Sequence, residues 1–219
     1  MYQLIKKDLL MQKKALMFAL LYLIFFTFAI AKNEPIGLTI GIMVVTYMLA
    51  LGSASLEEKN DSDIMLLSLP IKKKSIVLSK YLSVYIIATG VFLFNYLIYL
   101  GVHTFSIPLE MFPITYVGFA GAIIAVTIFS SISFPLIFKL GYAKSRIINL
   151  ILFFGLVFLS APVTEAINKN ENLAVKQWLQ KLVYESSNIE KTLFILLPLL
   201  VILMISYKLS LTFYTKREF

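Results

Sequence analysis

At 219 residues, with 59% of positions hydrophobic and only 15% charged, the chain carries more apolar side chain than a soluble fold of its size can cover. It has no cysteine and a single histidine, His103, which excludes disulfides, iron–sulfur clusters, thiolate metal sites and a histidine-based metal cluster. The formal charge of +8 would suit nucleic acid in a soluble protein, but in a membrane protein basic residues report topology, and no nucleic-acid partner is expected.

The first element, Met1–Lys14, is basic and precedes an apolar run without a small-residue cleavage site, so the run reads as a retained span rather than a signal peptide. At helical spacing, Gln3, Lys6, Lys7, Lys13 and Lys14 share one side. Tyr2, Leu4, Ile5, Leu9 and Met11 fall largely on the other, with Asp8 and Leu10 as exceptions. This pattern predicts an interfacial helix attracted to anionic membrane lipid.

Apolar runs then predict six transmembrane helices at about 15–31, 36–56, 81–103, 114–138, 146–163 and 191–213. Each is apolar around its circumference, and helix is the solution that satisfies backbone groups within each segment in lipid. The fold class is therefore an all-α membrane protein: one transmembrane domain, 1–219, built as a six-helix bundle. With both termini on the cytoplasmic side, fifteen of the 20 Lys and Arg fall inside and five outside, as topology by basic residues requires.

Two connections carry structure of their own. The inner loop 57–80 contains Ser62–Ser68, a short helix that Asn60 or Asp61 can cap and that Pro70 must end, because the residue before proline disfavours helical geometry. It carries Ile64, Met65, Leu66 and Leu67, which need either the membrane or a groove on a partner. The outer loop 164–190 places Val175, Trp178, Leu179 and Leu182 on one helical face, an outer amphipathic helix anchored by the only tryptophan. It reads as a cap over the bundle or as an exit gate.

The chemistry that is missing narrows function. No glycine begins a phosphate-binding G-x-x-x-x-G-K-[ST] loop, so nucleotide hydrolysis on this chain is not expected. One histidine cannot complete a protease zinc site. Asn95 is the most polar residue within a span, and the hydroxyls of Thr39, Thr46, Thr89, Ser130, Ser131 and Ser133 read chiefly as helix–helix hydrogen bonding. Without intramembrane carboxylates, transport driven by an ion gradient is hard to build. Gly37 with Gly41, and Gly118 with Gly121, are candidate close approaches between helices, while Pro135 and Pro198 are candidate kinks.

The stretch Asp63-Ile-Met-Leu-Leu-Ser-Leu-Pro70-Ile-Lys-Lys73, followed by Ile76-Val77-Leu78-Ser79-Lys80-Tyr81, resembles the L-x-S-L-P-hydrophobic-[ST]-[RK] and I-V-x-[SA]-K-[YF] segments of small type-2 ABC exporter permeases. Lys72 departs from the usual Ser or Thr. Six spans, the N-terminal basic helix and the outer helix before the last span agree with that family. The resemblance implies that Asp63, Ile64, Met65, Leu66, Leu67, Leu69 and Pro70 form a coupling helix on a separate ABC ATPase. ATP and magnesium would be held by that subunit and no cofactor by this chain. It further implies a second permease copy or related paralogue, a bacterial cell membrane, and export of an amphipathic or hydrophobic substrate, peptides included. The alternatives are a non-transporting scaffold or sensor subunit and an ATP-independent secondary transporter.

Overall fold

The computed structural model describes residues 2–29, 36–104, 116–169 and 188–216, and among them every regular element is helical. The elements are α1 Tyr2–Met11, α2 Lys13–Ala29, α3 Ile36–Lys59, α4 Ser62–Ser68, α5 Lys73–Thr104, α6 Tyr116–Leu140, α7 Tyr142–Lys169 and α8 Asn188–Lys216. Among the described residues, four stretches are long and apolar enough to cross a membrane: Leu38–Lys59, Lys73–Thr104, Gly118–Leu140 and Leu196–Lys216. The apolar part of α2, Ala15–Phe25, is shorter. The six-span expectation thus rests on four helices of full length, with α2 and α7 still to be assigned. The outer helix with Val175, Trp178, Leu179 and Leu182 lies outside the described residues.

α3 is the central helix, packed against α2, α5, α6 and α7. Its tightest crossing is with α6. Thr39 donates its hydroxyl to the Gly118 carbonyl at 3.0 Å, and a Cβ on Gly121 would fall 2.9 Å from the Thr39 hydroxyl oxygen. Gly118 and Gly121 therefore mark a close approach, as their spacing suggests. Gly41 does not, because a Cβ there would meet nothing within 4 Å.

Helix ends extend beyond the apolar runs. α3 continues through Glu57, Glu58 and Lys59, and α5 begins at Lys73 rather than near residue 81. Hydropathy marks only the hydrocarbon-facing part of a helix, while intrahelical hydrogen bonds favour its continuation into the headgroup region. At the same end of the bundle, α6 stops at Gly141, whose φ of 82° only glycine adopts readily and whose amide donates to the Ile137 carbonyl at 2.8 Å. One residue later α7 begins.

Pro135 lies inside α6 and lacks the amide hydrogen that would reach the Ser131 carbonyl one turn earlier. That carbonyl accepts the Ser206 hydroxyl from α8 instead, at 2.7 Å. Ser206 in turn accepts from the Tyr81 hydroxyl at 2.5 Å, and Ser210 completes the group at 2.8 Å from the same tyrosine. The helix–helix reading of the hydroxyls thus holds for Thr39, while the hydroxyls of Thr46, Ser131 and Ser133 are buried without a hydrogen-bond partner among the described residues. Thr89 and Ser130 bond within their own helices, to Tyr85 and Thr127 carbonyls.

Candidate coupling site

α4 occupies the turn between α3 and α5. Asp61 stands at its N-cap position in a left-handed conformation, φ 48°, without a side-chain cap hydrogen bond; its carbonyl accepts from Met65. The C-cap Leu69 is extended, φ −86° and ψ 148°, the geometry that Pro70 imposes on its predecessor. The helix is therefore bounded where the sequence expects.

Only one described side chain of α4 faces inward. Leu66 is buried in a cluster with Leu4 of α1, Ile76, Val77 and Tyr81 of α5, and Phe134, Phe138 and Tyr214 of α6 and α8. Met65 is 68% exposed, and Leu69 and Pro70 are also exposed. Asp63, Ile64 and Leu67 belong to the helix, but their side chains lie outside the described set. Of the residues expected to couple, the described ones are thus divided between one anchor, Leu66, and an outward group of Met65, Leu69 and Pro70.

Beneath α4 lies a charge cluster that residue-type reasoning missed. Lys80 of α5 meets Asp8 of α1 at 3.0 Å, Glu57 of α3 at 2.5 Å and the Ser53 hydroxyl at 3.3 Å. Lys7 also pairs with Glu57 and stands 3.7 Å from Asp8. Asp8, Glu57 and Lys80 are all buried. Two lysines against two carboxylates leave no net charge, which makes such burial tolerable, although desolvation offsets much of the attraction. A cavity of about 30 Å³ beside Glu57, Lys80 and Ser83 has room for an ordered water. Burial raises the Asp8 carboxyl above its ordinary value of 3.8, helped by the neighbouring Glu57 carboxylate and opposed by Lys80 and Lys7.

Asp8 was the exception in the amphipathic pattern of the first helix, and it is the residue that docks that helix. Leu4 and Asp8 form the buried face of α1, whereas Tyr2 and Leu10 are exposed. Lys6 and Lys13 are exposed and Lys7 is half-buried; the Lys14 side chain lies outside the described set. A polar residue on the apolar side of a basic helix is the signal that pointed to this contact. The neighbouring glutamate, Glu58, reaches α7, accepting the amides of Tyr142 and Ala143. Among the described residues, no group of His, Cys, Asp and Glu could hold a metal ion.

A helical bundle with several helices long and apolar enough to span a membrane, a basic N-terminal helix docked on it and a short helix displayed at one end defines a multi-pass membrane protein. Residues 3–215 match the family described as ABC-2 family transporter protein, and the chain belongs to that family. It is an ABC-2 membrane permease, a class whose ATPase is a separate chain. No curated protein and no solved structure matches it.

Proposed function

We propose that the chain is the membrane subunit of an ATP-driven exporter and that α4 is the surface on which its ATPase acts. The observation that carries this reading is the split of α4: Leu66 is seated in the bundle while Met65, Leu69 and Pro70 project from the lysine-rich end. An apolar group displayed between spanning helices and framed by Lys59, Lys72 and Lys74 suits a groove on a soluble subunit. The resemblance to small type-2 ABC exporter permeases assigns Asp63, Ile64 and Leu67 of the same helix to that role as well. ATP and magnesium are bound by the partner.

The supporting features are consistent with one another. Exposed Tyr2, Lys6 and Leu10 of α1, with Lys13 at the start of α2, give the N-terminal segment an outer face suited to anionic lipid at the inner leaflet. The fifteen-to-five distribution of basic residues favours cytoplasmic N- and C-termini, with α2 and α7 as the remaining crossings of six. The described ionised cluster sits at the end of the bundle rather than at mid-span, which favours ATP over an ion gradient as energy source. Two copies, or this chain and a related permease, enclose a path for an amphipathic or hydrophobic cargo, peptides included. The sequence spacing of Val175, Trp178, Leu179 and Leu182 assigns them to an amphipathic cap on the outer side.

The test is purification of tagged protein from its native membrane in mild detergent, followed by mass spectrometry. Recovery of a stoichiometric ATPase with a phosphate-binding loop supports the reading, and Met65→Asp with Leu69→Asp should release it without loss of membrane insertion. Absence of an ATPase after crosslinking would overturn it in favour of gradient-driven transport or a scaffold role.

A further inference from the structure

The two adjacent glutamates that end α3 serve different neighbours. Glu57 meets Lys7 and Lys80, on α1 and α5. Glu58 crosses to α7, where its carboxylate accepts the amide hydrogens of Tyr142 and, at 3.1 Å, Ala143. These are the first amides of α7, which no carbonyl of their own helix can satisfy. A carboxylate there also meets the positive end of the helix dipole. The residue just before α7 is Gly141, which has no side chain to cap it. Glu58 therefore does from another helix what an N-cap residue does from its own.

A second tie holds the same pair of helices. Tyr47 of α3 stacks on Phe153 of α7 with ring centroids 4.3 Å apart. Tyr47 lies eleven residues before Glu58, and Phe153 lies eleven residues after Tyr142. Equal spacing on two antiparallel helices keeps their register over about 16 Å of rise. α3 and α7 are thus fastened at both ends of a three-turn contact, one end polar and the other aromatic. α7 follows α6 directly across Gly141 and also packs along it, with Phe129 of α6 in the same cluster as Tyr47 and Phe153.

We propose that Glu58 is a positioning residue that makes α3 and α7 a single lever, so that displacement of α4 reaches α7 through its carboxylate. Only Asn60 and Asp61 separate α3 from α4, and a push on α4 is delivered within a turn of Glu57 and Glu58. Glu57 passes it to α1 and α5, and Glu58 passes it to α7. The lever's role in transport rests on the exporter reading above; the Glu58 contact itself does not.

Two measurements test it. Hydrogen exchange on the purified chain should show the Tyr142 and Ala143 amides exchanging about tenfold faster in Glu58→Ala, as for loss of a helix cap. Glu58→Gln keeps one acceptor oxygen and should recover most of the protection. Unchanged exchange in Glu58→Ala overturns the contact whether or not an ATPase is found.

For the lever, spin labels on Lys72→Cys and Lys144→Cys need no removal of native thiols, and both positions are exposed. Dilution with unlabelled native chain suppresses distances between copies. In the complex with its ATPase, the Lys72–Lys144 distance distribution should be the same with and without ATP, and Glu58→Ala should make it shift or broaden when ATP binds. A distance that already changes with ATP in the otherwise native protein, or a Glu58→Ala variant that behaves identically, overturns the lever. If no ATPase co-purifies, it is the exporter reading that fails.

Discussion

Ser206 donates its hydroxyl hydrogen to the carbonyl of Ser131 at 2.7 Å, and that carbonyl is the one Pro135 leaves without an amide. The bond therefore repairs a defect that α6 carries in its own sequence, and it joins α6 to α8 in doing so. Ser206→Ala should destabilise the bundle by about 1–3 kcal/mol, the cost of stranding a buried acceptor. Pro135→Ala returns an amide to the same carbonyl. The double variant should thus lose less than Ser206→Ala alone, a non-additivity that thermal unfolding in detergent would measure.

Lys80 is the hub of the charge cluster, and its two carboxylates differ in what they lose if it is removed. Lys80→Met should leave Asp8 and Glu57 buried with Lys7 as their remaining cation, costing about 3–5 kcal/mol. Asp8→Asn should cost less. Burial raises the Asp8 carboxyl, so ionising it costs the folded chain more than the unfolded one. Its contribution therefore supports the fold below its ordinary value of 3.8 and turns against it as pH rises through the raised value. The melting temperature of Asp8→Asn relative to the native chain should accordingly improve on going from acid to neutral pH. A relative melting temperature that falls over that range would contradict the assignment.

The glycines of α3 and α6 separate by contact rather than by motif. Gly121→Ala must displace Thr39, whose hydroxyl is held by the Gly118 carbonyl, and should cost about 1–3 kcal/mol by overpacking. Gly41→Ala enters open space and should be neutral or slightly stabilising. Comparing detergent-solubilised yield and melting temperature of the two variants checks this directly.

The division of α4 predicts opposite phenotypes from neighbouring residues. Leu66→Ala should destabilise the protein by about 2–5 kcal/mol, as for other buried leucines, and loosen α4 from Leu4 and Val77. Met65→Ser should leave the melting temperature unchanged and act only on ATPase recovery. A fall in melting temperature for Met65→Ser would place that side chain in the core.

Much of this architecture was legible in the sequence. The C-terminal bound of α4 follows from Pro70, which acts on the local backbone, whereas its N-terminus falls at Asp61 without the side-chain cap that the sequence offers. The membrane class follows from composition. Apolar runs mark lipid-facing stretches, 36–56 and 81–103, that are shorter than α3 and α5, and they are silent on helix that continues past them. That shortening hid the cluster: Glu57 and Lys80 read as loop charges when each lies on a helix and is buried. The joining of residues 8, 57 and 80 is a property of three elements packing together, and nothing local to any one of them announces it. Asp8, the misfit in an otherwise ordered face, was the one visible trace.

Among the described residues, α4 depends on the bundle through Leu66 while Met65 and Leu69 answer to no internal neighbour in the buried clusters. Substitutions at those outward positions carry little penalty for folding, so on the docking role proposed for α4 a lineage could alter which ATPase it accepts while the bundle stays as it is. Duplicated permeases sharing one cell would diverge in partner choice there first, long before their helices ceased to pack alike.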